Sequence, residues 1–549
     1  MLFIITTFVS LLCLMAAPII SHTAALWAAI AVVIITSASS APLGLAINMF
    51  FAVIRELPNF SVEEMHTFHG VCWVALAISF IVRVPFSHLK QIWHSKVASI
   101  LVAFTLAVAL RSYYAFTSKD YWIVLTFFTS MTVIVIGILL IDELDYFVSY
   151  GLIAVAAACL VTIFVDTAVI YGPIPSLVQG FGALPTDRLR LAGLHSNPNA
   201  TAKFLTLAIC ILSVVMFRSI LLKGPNDATG ICLQRVLLAF IAFILSGYGV
   251  AAAESKSVIL ALLIALSFLA FTQIMARPKR WLAFSCISAV TVIFACINVL
   301  WVWVFASPIK ERAAIGWNLH LNPISSYAIS VTDPSRKLQS GMAGIAASPV
   351  TDETLYEAII REYRIGTSTI TRVNPEYKPE EWLFKSEISS DAGTEKIECG
   401  LACTGQRLRL WSIGLNTVLD HWLVGIGFGG WKSQLLSKLG FPFDSPHNGI
   451  LELVGEFGIA GLVLYLTLMK LVIHRFWLAA RCLGRMWYFD MVAAIGLYSV
   501  ALLLTELFEP TKFFAMNPHF LWIWPLLIIQ ERIIKIHLIP AVHANNRAS

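Results

Sequence analysis

Charged side chains are scarce in this chain, and their scarcity decides which class of protein it belongs to. Asp, Glu, Lys and Arg make up 13% of the 549 residues, whereas soluble domains carry roughly 25%. Hydrophobic residues make up 58% of the sequence, and the mean hydropathy is +0.80. This composition excludes a water-soluble globular protein and indicates an integral membrane protein.

Three further features are missing from the sequence. Residues 1–20 have neither the positively charged start nor the small-residue cleavage site of a removable signal peptide, so we expect a retained first transmembrane helix. No segment repeats at a fixed period, which argues against a repeat architecture. The formal charge of +6 is spread over many loops, so we expect no nucleic-acid partner.

Long apolar runs dominate what is present. Runs of about 20 residues are long enough to cross a bilayer as helices. They lie near residues 1–20, 24–54, 66–87, 95–116, 121–141, 147–171, 199–222, 231–253, 256–275, 281–306, 449–473, 487–508 and 519–537. The run 24–54 contains Pro42 among small residues and can form two short spans. We therefore predict an all-α membrane protein with 12 to 14 transmembrane helices, and 14 places both termini on one side.

The orientation follows from the lysines and arginines, which favour cytoplasmic loops. They fall on every second short loop, with the acidic loop 142–146 as the exception. The cations in question are Lys90, Lys96, Arg218, Lys223, Arg235, Arg277, Lys279, Arg280, Arg475, Arg481 and Arg485. The loops 172–198 and 254–256 and the long polar segment 307–447 then face the periplasm.

This reading divides the chain into three parts. Residues 1–306 form an N-terminal transmembrane bundle, and residues 448–549 form the C-terminal transmembrane helices. Between them, residues 307–447 form one large periplasmic loop domain, which we expect to be partly helical because no alternating strand pattern persists. Within it, Cys399 and Cys403 can close a disulfide in an oxidising periplasm, and no histidine pair stands nearby to complete a zinc site.

The most informative segment is 444–449, which reads DSPHNG and lies where the long polar segment meets an apolar run. It places the imidazole of His447 at the boundary between water and membrane, where it can take a proton from a hydroxyl near neutral pH. The same residues are also typical of a helix N-terminus, with Asp444 and Ser445 as caps and Pro446 in the first turn. Both interpretations stay open.

Several cations lie on the same predicted face of the membrane. Arg188 and Arg190 precede one span, Lys256 opens another, and Arg407 and Arg409 lead towards His447. Arginine side chains bind phosphate oxygens well. An arginine at the membrane interface can also simply extend its guanidinium group into water without binding a ligand. Fixed cations around a diphosphate leaving group would stabilise the charge that develops as its bond to a sugar breaks.

These motifs, in this order, resemble those of the superfamily of O-antigen ligases and polysaccharide polymerases. The resemblance covers residues 186–465. It is carried by Arg190-x-x-Gly193, Asn197-Pro198-Asn199, Ser255-Lys256, Arg407 with Trp411, the glycine-rich segment 425–429, and Pro446-His447-Asn448 followed by Glu452, Glu456 and Gly458. The family usually has Ser-Arg where this chain has Ser255-Lys256, and a lysine keeps the charge but loses the bidentate fork.

The resemblance implies a metal-independent glycosyltransferase without a cofactor, in the inner membrane of a Gram-negative bacterium. Its donor would be a glycan on undecaprenyl diphosphate, and its acceptor lipid A-core, as in lipopolysaccharide biosynthesis. Arg190 would contact the diphosphate and His447 would act on the acceptor hydroxyl. Arg407 or Arg409 would compensate for the bidentate fork that Lys256 lacks, and we favour Arg407. The remaining substrate-binding candidates are Arg188, Asn199, Lys256, Arg409, Asn448 and Glu452.

Two other functions remain open. A polysaccharide polymerase would join lipid-linked repeat units with the same cations and a similar base. A transporter or flippase would place a site at the membrane midplane between corresponding halves, and no matching half is evident here. The glycine-rich segment 425–430 has no preceding strand, so we predict a tight turn rather than a nucleotide site.

Overall fold

Helices account for all regular secondary structure in the part of the chain that the computed structural model describes. That part comprises residues 2–15, 21–52, 60, 62–112, 118–171, 198–221, 241–251, 255–276, 281–300, 401–439, 445–482, 487–510, 513–514 and 518–538. Within it, the prediction of an all-α protein is confirmed. Arg188, Arg190, Cys399 and most of the predicted loop domain lie outside the described residues. The backbone of Cys403 is described, but its side chain is not, so the predicted disulfide stays a prediction.

Most helices follow the apolar runs that predict them, because each run buries a continuous apolar surface. The first part of the chain contains α1 (Leu2–Met15), α2 (His22–Ser39), α3 (Ala41–Phe51), α4 (Val62–Arg83), a 3-10 helix (Phe86–His94), α5 (Lys96–Ser112), α6 (Ser118–Leu140), α7 (Leu144–Tyr171), α8 (Pro198–Leu221), α9 (Ile241–Ala251), α10 (Lys256–Ala276) and α11 (Trp281–Leu300). The second part contains α12 (Leu401–Asp420), α13 (Trp431–Leu439), α14 (Gly449–Phe457), α15 (Ile459–Cys482), α16 (Trp487–Thr505), α17 (Pro518–Ile533) and a π-helix (Ile534–Leu538).

Five of the described helices are long and apolar enough to cross a membrane, in agreement with a membrane protein. They contain Glu64–Arg83, Tyr121–Leu140, Leu144–Thr162, Ile459–Arg481 and Trp487–Thr505. A sixth is added if Ser87–His94 and Lys96–Ser112, which meet at an angle of 88°, count as one span. Several shorter apolar helices accompany them, including α1, α2 and α3.

The long run 24–54 breaks at Ser40, inside the segment where small residues and Pro42 predict a break. Ser40 has an extended backbone, and its hydroxyl accepts a hydrogen bond from the Leu43 N–H, so it caps α3. α3 has 11 residues, all of them buried, and packs against α2, α4 and α7. Gly44 permits the close approach, because a Cβ there would lie 2.6 Å from the Ser37 Cα.

The predicted continuous span 449–473 is wrong. The chain instead forms the short helix α14 and the long helix α15, separated at Gly458, whose φ of 61° lies in the left-handed region. A Cβ at Gly458 would lie 2.6 Å from the carbonyl carbon of Leu423, so this position also admits no side chain without rearrangement. The break makes α14 a separate element that carries the residues after His447, and the long apolar helix starts only at Ile459.

The core of the described bundle lies around α16, which is buried along nearly its whole length and packs against α8, α10, α15 and α17. Aromatic rings extend this core towards one end. Phe104 of α5 packs edge to face against Phe128 of α6 and Phe457 of α14, with ring centroids 5.2 and 5.5 Å apart. Its ring also contacts Phe514 at 4.8 Å. Helices from both parts of the chain therefore share one core.

Buried charges hold the opposite end of the bundle together. Arg475 of α15 lies 2.5 Å from Glu531 of α17, and both side chains are buried. Glu531 also accepts a hydrogen bond from the Val97 N–H at 3.1 Å and pairs with Lys535 at 2.8 Å. The carboxylate of Glu531 therefore joins the start of α5 to α15 and α17.

Arg532 adds a second connection at the same end. Its guanidinium donates hydrogen bonds to the carbonyl oxygens of Ile138 and Ile141, at 2.8 and 2.5 Å, and lies 3.5 Å from Asp142. The predicted topology assigns these residues of α5 and α15 and the acidic loop 142–146 to one side of the membrane. In the structure they meet at this end of the bundle.

Replacing one partner of the Arg475–Glu531 pair should destabilise the protein. In Glu531→Leu the buried guanidinium loses its counter-charge, and we expect a loss of about 3–5 kcal/mol in the free energy of unfolding. The double variant Arg475→Met with Glu531→Leu should recover most of that loss, because two apolar side chains replace the pair. Thermal unfolding in detergent micelles measures both. An equal loss in the single and double variants would contradict the pairing.

Candidate functional site

His447 lies in a short segment that precedes α14. Its φ of +52° makes it the one non-glycine residue with a left-handed backbone among those described. Its N–H donates to the Ser445 hydroxyl at 3.2 Å, and its carbonyl accepts a hydrogen bond from the Trp411 indole at 3.3 Å. A left-handed backbone costs a non-glycine residue roughly 1–3 kcal/mol and persists only where the surroundings enforce it. Here the hydrogen bonds to Ser445 and from Trp411 hold His447 in this conformation.

Asn448 is the N-cap of α14. Its side-chain oxygen accepts hydrogen bonds from the N–H groups of Ile450 and Leu451, at 3.1 and 3.0 Å. The sequence assigns capping to Asp444 and Ser445, but the Ser445 hydroxyl accepts from His447 instead, and Pro446 lies outside the helix. Since His447 directly precedes the cap, the interpretation as a helix N-terminus and the interpretation as a reactive histidine are compatible.

The turn of residues 506–510, which follows α16, holds this segment in place. The Gly449 N–H donates to the Glu506 carbonyl at 2.7 Å, and the Asn448 side-chain amide donates to the Leu507 carbonyl at 3.0 Å. Asn448 therefore uses both ends of its side chain on protein groups. Its contacts support the backbone around His447, and its predicted role in substrate binding stays a prediction.

Glu509 connects the same turn to two further helices. Its carboxylate lies 3.1 Å from the ammonium of Lys203 in α8 and accepts a hydrogen bond from the Ser257 hydroxyl of α10 at 3.2 Å. Lys203 is 1% exposed, so this is a buried ion pair. Through it the first turns of α8 and α10 lie at the same end of the bundle as His447.

This junction brings together residues that are far apart in the sequence. Asn199 lies one turn before Lys203 in α8, and Lys256 is the first residue of α10. Their helices, though not their side chains, are described. The preceding Ser255 is 1% exposed, and its buried hydroxyl has no hydrogen-bond partner among the described residues. The first turns of the helices that carry Asn199 and Lys256 therefore lie at the same end of the bundle as His447, and the role of these residues in a site stays a prediction.

Glu509 and Lys203 are missed by the sequence analysis, although signals for both exist. Lys203 is a cation inside an apolar run, and Glu509 stands directly before Pro510 where another apolar run ends. Ionisable residues in membrane segments usually have a partner and a role. Nothing in the spacing pairs these two, because 306 residues separate them.

α12 carries Arg407 and Arg409, which lie one turn or less before Trp411 in the same helix. The helix packs against α14, and Trp411 also contacts the ring of Phe508 at 6.2 Å between centroids. The side chains of the two arginines lie outside the described part of the structure. The backbone nevertheless places this arginine-bearing helix beside His447 and the 506–510 turn.

The glycine-rich segment forms the predicted tight turn. Gly425, Gly427 and Gly429 all have positive φ values, between 74° and 90°. The N–H groups of Ile426 and Gly427 donate to the carbonyl oxygens of Gly455 and Glu456, at 2.7 and 3.0 Å. The turn therefore packs its backbone directly on the C-terminal half of α14.

The side chain of Glu456 stabilises this turn. Its carboxylate accepts a hydrogen bond from the Gly429 N–H at 2.8 Å. Burial, assisted by the nearby charge of Glu452, raises the pKa of Glu456 well above its usual value. Glu452 is half-buried, and its backbone carbonyl accepts from the Trp431 indole at 2.9 Å. Glu452 and Glu456 both follow His447 in the sequence. Of these two carboxylates, Glu456 stabilises the glycine-rich turn.

In the described part of the chain, no group of three or more His, Cys, Asp or Glu side chains is placed to hold a metal ion. The prediction of a metal-independent site stays a prediction, because residues 301–400 lie outside that part.

Comparison with known proteins adds no family to this description. No protein-family model matches the chain, and no curated protein matches it significantly. The resemblance to the O-antigen ligase superfamily therefore rests on the residues quoted for it.

Substituting Gly425 should damage the glycine turn. A Cβ there would lie 2.3 Å from the Glu456 carbonyl oxygen, and φ is +74°, so Gly425→Ala should lower the free energy of unfolding by roughly 1–3 kcal/mol or more. Gly70→Ala is the matched control, because no heavy atom lies within 4 Å of its Cβ position on α4. Thermal unfolding compares the two. A Gly425 variant as stable as the Gly70 variant would show that the turn tolerates a side chain.

Proposed function

We propose that this protein is a membrane-embedded glycosyltransferase that transfers a glycan from undecaprenyl diphosphate to lipid A-core, as an O-antigen ligase does. The observation that carries the proposal is the position of His447. It is held in a left-handed backbone at the end of the bundle where the first turns of α8 and α10 meet. Outliers of this kind cluster at functional sites, and this one carries an imidazole.

The donor side of the reaction needs fixed positive charge. The N-terminal ends of α8 and α10 each carry partial positive charge from unpaired N–H groups, which favours phosphate. Lys256 adds an ammonium group at the start of α10, and Arg190 precedes α8 in the sequence. Arg407 completes the diphosphate contacts in our proposal, and Arg188, Arg409 and Asn199 contribute to donor binding.

The acceptor side needs a base. The acceptor hydroxyl oxygen attacks the anomeric carbon, the bond from that carbon to the diphosphate oxygen breaks, and undecaprenyl diphosphate leaves with the electron pair. His447 accepts the hydroxyl proton during the attack, and cations stabilise the charge on the leaving group. Glu452 is half-buried on the first turn of α14, and in our proposal it contributes to binding the acceptor. No step requires a metal or a cofactor.

The finer topology belongs to the same proposal. The full chain crosses the inner membrane of a Gram-negative bacterium 12 to 14 times, and the end that carries His447 faces the periplasm together with the loop 307–447. Support comes from the opposite end, where Arg475, Lys535 and Arg532 collect, as the positive-inside rule expects of a cytoplasmic face.

A polysaccharide polymerase is the second candidate, since an acceptor on a lipid carrier would use the same base and the same cations. A deletion strain separates the two. In a ligase-deficient strain, long polymer accumulates on undecaprenyl diphosphate and is missing from lipid A-core on a lipopolysaccharide gel. In a polymerase-deficient strain, single repeat units replace chains. Unchanged pools in both assays would remove the glycan pathway from consideration and favour a transporter.

The base is tested by substituting His447. Asparagine tolerates the left-handed backbone better than most residues, so His447→Asn should keep the fold while lowering transfer by roughly 10²–10⁴-fold. The matched control is His421→Asn, because His421 is exposed in the turn after α12 at the same end of the bundle. Transfer is measured with purified protein in nanodiscs, with abundance and thermal unfolding as checks on folding. Wild-type transfer in the His447 variant would exclude it as the base.

A further inference from the structure

α12 is long enough to cross a membrane, but its composition does not fit a membrane span. It has 20 residues, yet it is absent from the helices that are apolar enough to cross, and its sequence includes Arg407, Arg409 and Asp420. A helix of this kind can lie along a membrane surface when its apolar and polar side chains occupy different faces.

Its second half presents three distinct faces. Leu410, Gly414 and Thr417 are buried against the bundle. Leu415 and Leu419, four residues apart, form an exposed apolar row. Beside it runs an exposed polar row formed by Ser412, Asn416 and Asp420. Because residues four apart share one side of a helix, the rows are adjacent rather than mixed.

The turn after α12 extends the apolar row. Trp422, Leu423 and Val424 are 57%, 58% and 54% exposed, and Leu415 and Leu419 are 50% and 61% exposed. We call these five residues the apolar rim. Five large apolar side chains exposed together within ten residues are unusual on a surface that faces water only, and such patches mark interaction sites.

The rim continues the outer surface of α5. Arg111, in the last turn of α5, donates hydrogen bonds to the carbonyl oxygens of Val424 and Gly425, the latter at 2.9 Å. On the same helix Leu106 and Leu110 are 59% and 72% exposed. α5 belongs to the bent pair that is apolar enough to span, so its exposed leucines are in position to face lipid. The rim therefore begins where that lipid-facing surface ends.

We propose that the apolar rim inserts into the hydrocarbon edge of the adjacent lipid leaflet, with α12 lying along the membrane surface. The occupant of the rim is the acyl-chain region of the bilayer. The row of Ser412, Asn416 and Asp420 faces the headgroups and water, and Trp422 lies at the boundary, where indole rings are favoured.

This placement fixes the depth of His447. The same helix carries Trp411, whose indole donates to the His447 carbonyl, and it packs against α14. A helix anchored in the leaflet by its rim therefore sets the height of this histidine relative to the headgroups. The last part of the predicted 307–447 loop is, on this view, a membrane-surface element rather than part of a domain that projects from the membrane.

Collisional quenching tests the proposal in the full-length protein. An encoded environment-sensitive fluorescent amino acid replaces Leu419 or, as the matched control, Asn416, three residues away in the same helix. A third variant with the probe at Leu110 gives the reference for a lipid-facing position. Each protein is placed in nanodiscs of phosphatidylcholine with or without bromine on the acyl chains, and iodide is added as the aqueous quencher.

We expect bromine to reduce the emission at position 419 about as much as at position 110, and iodide to quench position 416 several-fold more than position 419. Equal quenching of positions 419 and 416 by iodide, without quenching by bromine, would overturn the proposal. So would a probe at position 419 that neither quencher reaches, since the rim would then be covered by another part of the chain. The measurement uses no glycan, so its outcome is independent of the proposed transferase activity.

Discussion

The arrangement of the helices at the end of the bundle that carries His447 depends on the buried ion pair of Lys203 and Glu509. Removing an ammonium and a carboxylate from water costs several kcal/mol each, so the pair exists only where geometry returns most of that cost. Here the carboxylate gains both the ammonium and the Ser257 hydroxyl. Three elements remote in sequence, α8, α10 and the 506–510 turn, are thereby required to meet at one point.

The same turn then positions the histidine. Its carbonyl groups receive the Gly449 N–H and the Asn448 amide, and its position follows from the Glu509 contacts. At the opposite end, Glu531 performs a comparable task for α5, α15 and α17. With α16 buried between these ends, the bundle is fixed by polar contacts at both ends and by apolar packing along its length. The hydrophobic effect is non-directional, whereas hydrogen bonds require specific distances and angles and so add to the constraints on helix register.

Much of the fold is readable from the sequence, because each apolar run must become a helix in lipid. The starts of α5, α8 and α10 lie close to the predicted ones for this reason. The break at Gly458 could not be predicted from the sequence, because a glycine within an apolar run does not by itself indicate a left-handed turn. Of the site, His447 and the glycine turn follow from local pattern. Glu509 does not, because its partner is chosen by tertiary packing and not by spacing.

The short helix α3 has a consequence for the order of assembly in the membrane. With 11 residues it is too short to cross a bilayer of ordinary thickness, yet every one of its residues ends up buried. One of the helices that covers it, α7, begins at Leu144, about a hundred residues later in the chain. During synthesis, α3 therefore reaches its final environment only after α7 has left the ribosome. The packing around α3 is therefore completed only when a helix from a later part of the chain is present.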